Sequence, residues 1–387
     1  MTPVATPIDL RPLTALRFFA ALWVVVYLLW PNLAVDGLPA LVAPALVAPA
    51  LVAKGYLGVE LFFVLSGFIL SHVYLQAFGE KRFGYRRFLW ARIARVYPLH
   101  LFTLFGVMAL GLAAAAAGMA IDAGVLSWKT LLPNLLMVHA WGFAGEAGWN
   151  HPSWSISAEW FAYLSFPLFA AAAWALRNRP WLAVAAAALL LAGLYLGFER
   201  LAGYRLTEAT FQWGALRIVP CFAYGCALYL VHRRRPLPRA GLLAGLAAAA
   251  LLLSASLLSW DGVPVLAGGL LILALAGLPI DRPGVMGSSA AVYLGEISYA
   301  VYMLCAPWQM LAVNLASRLV GAEDKRLPLL LWLGIILGLI VAAAVVHRLI
   351  ERPARRILRG WVEERRSSVD QPPKQSETVL QHSDSIV

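Results

Sequence analysis

The stretch RFFAALWVVVYLLWP, Arg17 to Pro31, begins with a guanidinium and carries no other charged side chain. A helix rises 1.5 Å per residue, so a window over 13–35 that contains this stretch is long enough to cross the hydrocarbon of a bilayer. A soluble core has no use for such a run. The same reading extends along the chain, where further apolar windows fall at 56–77, 98–118, 158–176, 180–198, 211–231, 240–259, 263–280, 291–317 and 327–350. Runs such as LAVAAAALLLAGLYLGF are continuous, without the alternation of a membrane β-barrel. The expected fold is all-α, a polytopic membrane protein with about ten transmembrane helices. The first window lacks a small-residue cleavage site and is followed by other spans, so it is expected to be a retained helix and not a signal peptide.

Composition agrees. Of 387 residues, 61% are hydrophobic and only 13% charged, with a mean hydropathy of +0.74. Lys and Arg favour cytoplasmic loops. With the N-terminus inside, the inner segments hold 23 of the 31 and the outer loops 7, Arg217 lying within a span. Both termini are therefore expected in the cytosol. The net charge of +11 is accounted for by basic juxtamembrane loops that attract anionic membrane lipids, and no nucleic acid is needed as a partner. Cys221, Cys226 and Cys305 all fall within windows, where they are expected to be packing residues; neither a disulfide framework nor a metal site is expected.

The chain reads as one membrane domain, 1–366, with a polar, disordered cytosolic tail at 367–387. Residues 41–53, LVAPALVAPALVA, repeat a five-residue unit whose prolines break a helix, giving an apolar outer loop. The longest outer loop, Met119 to Ser157, reads as a short helix followed by an ordered turn region rich in Gly, Trp and Pro.

Ionisable groups inside spans are expensive and mark function or fixed pairs. Arg17 and Leu28 share one face of the first helix, about 16 Å apart along its axis. Glu60, His72, Glu159, Arg217 and Glu296 also fall within apolar windows or at their edges, and static pairing between helices is the alternative for each. Glu60 is the most structural, because the adjoining FFVLSGF suits close helix packing. In the inner loop ahead of Pro98, which is expected to start the third span, Arg92 and Arg95 are three apart and share a helical face. Two guanidiniums there can grip a phosphate, either of a lipid headgroup or of a phosphorylated cytosolic ligand whose business end enters the bilayer.

Six segments together resemble the acyltransferase-3 family of bacterial integral membrane O-acyltransferases. They are LTALRFFAALWVVVYLLWPN, GYLGVELFFVLSGFILS, RIARVYPLHL, NHPSWSISAEWFAYLSFPLF, YLGEISYAVYML and LIERPARRILR, spread over most of residues 10–360. The resemblance implies about ten membrane helices in the bacterial inner membrane. It also implies transfer of an acetyl group from cytosolic acetyl-CoA to a hydroxyl of an exported or lipid-linked glycan. The family signature in the first span is an arginine, ten residues, then a histidine. Arg17 matches; Leu28 fills the histidine's slot, and Cys305 stands where many relatives have another histidine. Arg92 and Arg95 match the paired arginines taken as the site of the CoA phosphates, with the pantetheine arm running past Arg17. Glu159, with Trp154, Ser155, Ser157 and Tyr163 about it, matches the WSxxxE region, where it would orient the acceptor hydroxyl or the imidazole. Leucine moves no proton, so the resemblance implies an enzyme slowed by the loss of a general base, about 10²–10⁴-fold. A proton-coupled transporter is the rival reading of the same ionisable groups, although no matched broken helices point to one.

Overall fold

The computed structural model describes residues 10–34, 49–119, 124–234, 237–279 and 284–369. Apolar runs in lipid must satisfy their backbone groups internally, and each window has become a helix. In chain order these are α1 (Arg11–Asn32), α2 (Gly55–Gly79), α3 (Tyr85–Ala116), α4 (His151–Leu164), α5 (Phe166–Ala175), α6 (Pro180–Ala202), α7 (Gly214–His232), α8 (Ala240–Leu257), α9 (Gly262–Ala276), α10 (Ser289–Val320) and α11 (Leu329–Gly360). Among the described residues, eight are long and apolar enough to cross a membrane, and nine if α4 and α5 count as one span. The eighth window, 263–280, forms α9, whose 15 residues reach about 22 Å, short of the hydrocarbon thickness.

Two boundaries differ from the sequence reading. Pro98 does not start the third span but lies inside α3, which begins at Tyr85; proline costs one backbone bond, and packed neighbours make that tolerable at membrane depth. Arg92 and Arg95 therefore sit on the spanning helix itself, not in a loop before it. The fourth window is bent by 57° between α4 and α5, where Pro167 cannot continue the preceding turn. Of the 41–53 repeat, Pro49–Ala53 forms a short helix and the rest lies outside the described residues. The expected disordered tail also lies outside them, apart from 367–369, which extend the last helix.

Close helix contacts set the frame. A Cβ at Gly67 of α2 would lie 2.1 Å from the Phe222 carbonyl oxygen of α7, and one at Gly225 of α7 would lie 2.0 Å from that of Val64. Only glycine permits this approach. On the same pair of helices Arg217 grips Glu60 with two bonds, 2.6 and 3.0 Å, and gives a third to the Ala209 carbonyl at 2.9 Å. Both side chains are buried, so two of the intramembrane ionisable groups form a static pair. Glu296, by contrast, is exposed on α10.

α1 and α10 run in step. A Cβ at Gly295 would lie 1.9 Å from the Thr14 carbonyl oxygen, and fourteen residues further along both helices Gln309 Nε2 donates to the Leu28 carbonyl at 3.3 Å. The constant offset places Arg17 level with Ser298, Ala21 with Tyr302 and Leu28 with Gln309.

Candidate functional site

The helices enclose a cavity of about 280 Å³. Its α2 wall runs from Val59 to Tyr74, a rise of about 22 Å at helical pitch. It is therefore a channel along the bundle rather than a surface dimple. Arg17 of α1, Arg92 and Arg95 of α3, Ser155, Glu159 and Tyr163 of α4, and Arg359 of α11 all line it. Six of the seven expected site residues thus converge, although they come from three helices. A second void of about 430 Å³ shares Tyr74, Arg92 and Arg359 with the first and adds Arg82, Arg87, Phe83 and Trp90 at the basic end.

Each wall is held by identifiable bonds. Ser66 Oγ donates to Glu159 Oε1 at 2.8 Å, fixing the carboxylate against α2. Ser155 donates to the Tyr302 hydroxyl oxygen at 2.9 Å, and Tyr302 donates to the Pro152 carbonyl at 2.9 Å. The Arg92 guanidinium lies 5.8 Å from the Tyr163 ring centre and 5.9 Å from those of Tyr74 and Phe88, and its Nε is buried without a partner. A cation seated on aromatic rings with a donor to spare is ready for an anion.

Leu28 is the seventh residue, and it does not line this cavity. Its side chain is half-buried against the core, level with Gln309, about seven residues or 10 Å beyond Tyr302 at the cavity's far end. Cys305 is buried on α10 and also stays outside the lining. His72 is half-buried on α2 with Nδ1 unpartnered, away from the lining.

The long loop before α4 is ordered by its own polar groups. Leu131–Leu135 forms the expected short helix. Ser157 Oγ donates to the Met137 carbonyl at 2.8 Å and accepts from Ala140 N at 3.0 Å, and Asn150 Nδ2 donates to the Met303 carbonyl at 2.9 Å. Behind the loop, His139 meets Ser153 Oγ through Nε2 at 3.1 Å and stacks on His100 with ring centres 5.9 Å apart. Sequence reading missed this histidine pair, because its partners are far apart in the chain. Burial, reinforced by His100, lowers the His139 pKa from 6.5 to about 3. The unfolded chain takes up this proton near 6.5 and the folded chain only near 3, so stability falls as pH drops through that window, by up to about 1.4 kcal/mol per pH unit. Melting curves between neutral pH and about pH 5 should show the slope, and His139→Gln should reduce it. An unchanged slope in the variant would contradict this role.

Sequence reading also missed Arg359, Ser66 and Tyr302 as lining groups. Arg359 is the last residue of the LIERPARRILR segment, a visible signal; Ser66 and Tyr302 offered none.

Comparison with known proteins meets this geometry. A family model described as "Acyltransferase domain", that of the acyltransferase-3 family, matches residues 12–348. The chain belongs to the acyltransferase-3 family. The chain is also 30% identical over 305 residues to "Acyltransferase MdmB" of Streptomyces mycarofaciens, covering 69% of this chain and 73% of that protein. No solved structure matches. As a family member with eight or more helices fit to span a bilayer, the protein is a multi-pass membrane acyltransferase, and the cavity is its candidate active site.

Proposed function

We propose that the chain transfers an acetyl group from acetyl-CoA to a hydroxyl of an exported or lipid-linked glycan, in the bacterial inner membrane. The observation that carries this is the elongated cavity with four guanidiniums and one carboxylate on its wall. The void at the basic end, with Arg82, Arg87, Phe83 and Trp90, suits the phosphates and flat base of the nucleotide. The narrower cavity suits the pantetheine arm, passing Arg92 and Arg95 and then Arg17. The acceptor oxygen would form the ester bond to the acyl carbon as the thioester C–S bond breaks, and the hydroxyl proton would end on the CoA sulfur. Glu159, clamped by Ser66, would accept from the amide N–H groups of the arm, because it lies one helical turn inward of the Ser155 that bonds Tyr302 and so too far from position 28 to share one acceptor hydroxyl with it. Leu28 leaves that proton without an imidazole carrier at the family's position, so transfer is expected to be slow although binding persists.

The transporter reading is weaker, because Glu60 and Arg217 bind each other instead of lining a path.

Acetyl-CoA added to the purified protein should raise its melting temperature with concentration, by an amount equivalent to about 2.7 kcal/mol at one hundred times Kd. A melting temperature that ignores acetyl-CoA and CoA would contradict the proposal.

A further inference from the structure

A void larger than the cavity lies elsewhere, a groove of about 860 Å³ between the far end of α3 and the far half of α10. We propose that it binds the phosphate-bearing head of a long-chain lipid, and that this lipid carries the acceptor. The second clause rests on the function proposed above; the first does not.

Four observations converge. The groove starts at Met310, the residue after the Gln309 that bonds the Leu28 carbonyl, so it opens level with the slot of the family's histidine. One wall is apolar, formed by Ala114, Met310, Leu311 and Leu315. Leu311 and Leu315 are 51% and 57% exposed on a helix long enough to cross the membrane, which leaves the groove open sideways to lipid. At its end stand two cations, Arg318 and Lys325, with one carboxylate, Glu323. The Arg318 guanidinium rests on the Met119 sulfur at 2.7 Å and meets no carboxylate among the described residues.

The backbone adds the fourth. Lys325 sits at φ 57°, a left-handed conformation that is strained for a residue other than glycine. It is held there by its amide donating to the Ala322 carbonyl at 3.1 Å and by Asn32 Nδ2 donating to its own carbonyl at 3.2 Å. Asn32 also accepts from Gln309 at 2.9 Å, so the loop bearing Lys325 is tied to the same polar group that fixes Leu28. Apolar wall, cationic end and lateral opening describe an anionic amphiphile, not a free sugar. The groove begins where the cavity's chemistry would have to finish.

The test uses full-length protein purified in a neutral maltoside detergent, with dodecyl phosphate, inorganic phosphate and dodecanol as probes. Dodecyl phosphate should bind at least tenfold more tightly than either of the others. Arg318→Ala with Lys325→Ala should weaken it at least tenfold while acetyl-CoA binding is unchanged, and Glu323→Gln should tighten it. Ala114→Trp, which fills the groove and keeps both cations, should also abolish binding, so a fold defect in the double variant does not decide the matter. Equal binding of dodecanol, equal binding of inorganic phosphate, or wild-type affinity in both variants would overturn the site. If dodecyl phosphate binds yet leaves acetyl transfer by the Leu28→His protein uninhibited, the acceptor assignment is overturned. Loss of acetyl-CoA binding from the wild-type protein would instead count against the function proposed above, and the phosphate arms would still stand.

Discussion

Replacing Leu28 with histidine should raise acetyl transfer by about 10²–10⁴-fold, the usual contribution of a positioned general acid or base. An imidazole titrates near neutral pH, so it can take a proton from the acceptor and return it to the leaving thiolate. The backbone at this position is already fixed, since Gln309 holds the Leu28 carbonyl and Asn32 together. The side chain is half-buried in the apolar contact surface, and histidine is near leucine in size, so the exchange asks for little repacking. Leu28→Asn, polar but without a titrating group, should not restore the rate. Glycan acetylation in cells carrying each variant, compared at equal protein level, gives the answer. A Leu28→His protein no faster than the parent would remove position 28 from the chemistry.

The second large effect is expected at the arginine pair. Arg92→Ala together with Arg95→Ala should weaken acetyl-CoA binding by about 10²-fold or more, because each charge-assisted contact contributes about 1.5–3 kcal/mol. Both guanidiniums line the cavity, and Arg92 keeps a buried Nε without a partner. If the pair served only as an anchor for lipid headgroups, the thermal shift given by acetyl-CoA would survive the double replacement. Arg92→Lys should recover part of the loss and no more, since a point charge cannot reproduce the fork or its seat on Tyr74, Phe88 and Tyr163.

The fold was legible because apolar run length is a direct reading of membrane physics. What failed was local. Pro98 looked like a helix start and is a helix interior, because neighbouring helices supply what proline removes. Pro167 gave a break that run length alone hides. The site's charged members were legible one by one, Arg17 and Glu159 as costly groups in apolar windows and Arg92 and Arg95 as a pair on one helical face, and their roles through the family's motifs. Arg17, Arg92, Arg95 and Glu159 stand on three helices, and no spacing in the chain shows that they face one cavity. Glu60 and Arg217 are separated by 157 residues, so the pairing of one with the other is a fact of packing. The apolar context of Glu296 suggested a buried acid, yet the side chain turns outward, because an apolar window fixes a residue's segment and not its face. His100 and His139 carried no pattern at all; their meeting depends on how the long loop folds behind α4.

The central claim is that one cavity carries the acyl donor from the arginine pair towards Glu159. A structure of the protein determined with acetyl-CoA tests it most directly. The account predicts the phosphates against the basic-end guanidiniums and the pantetheine arm lying along α2 past Ser66. Density for acetyl-CoA elsewhere on the molecule, with the cavity closed by its own side chains, would contradict it.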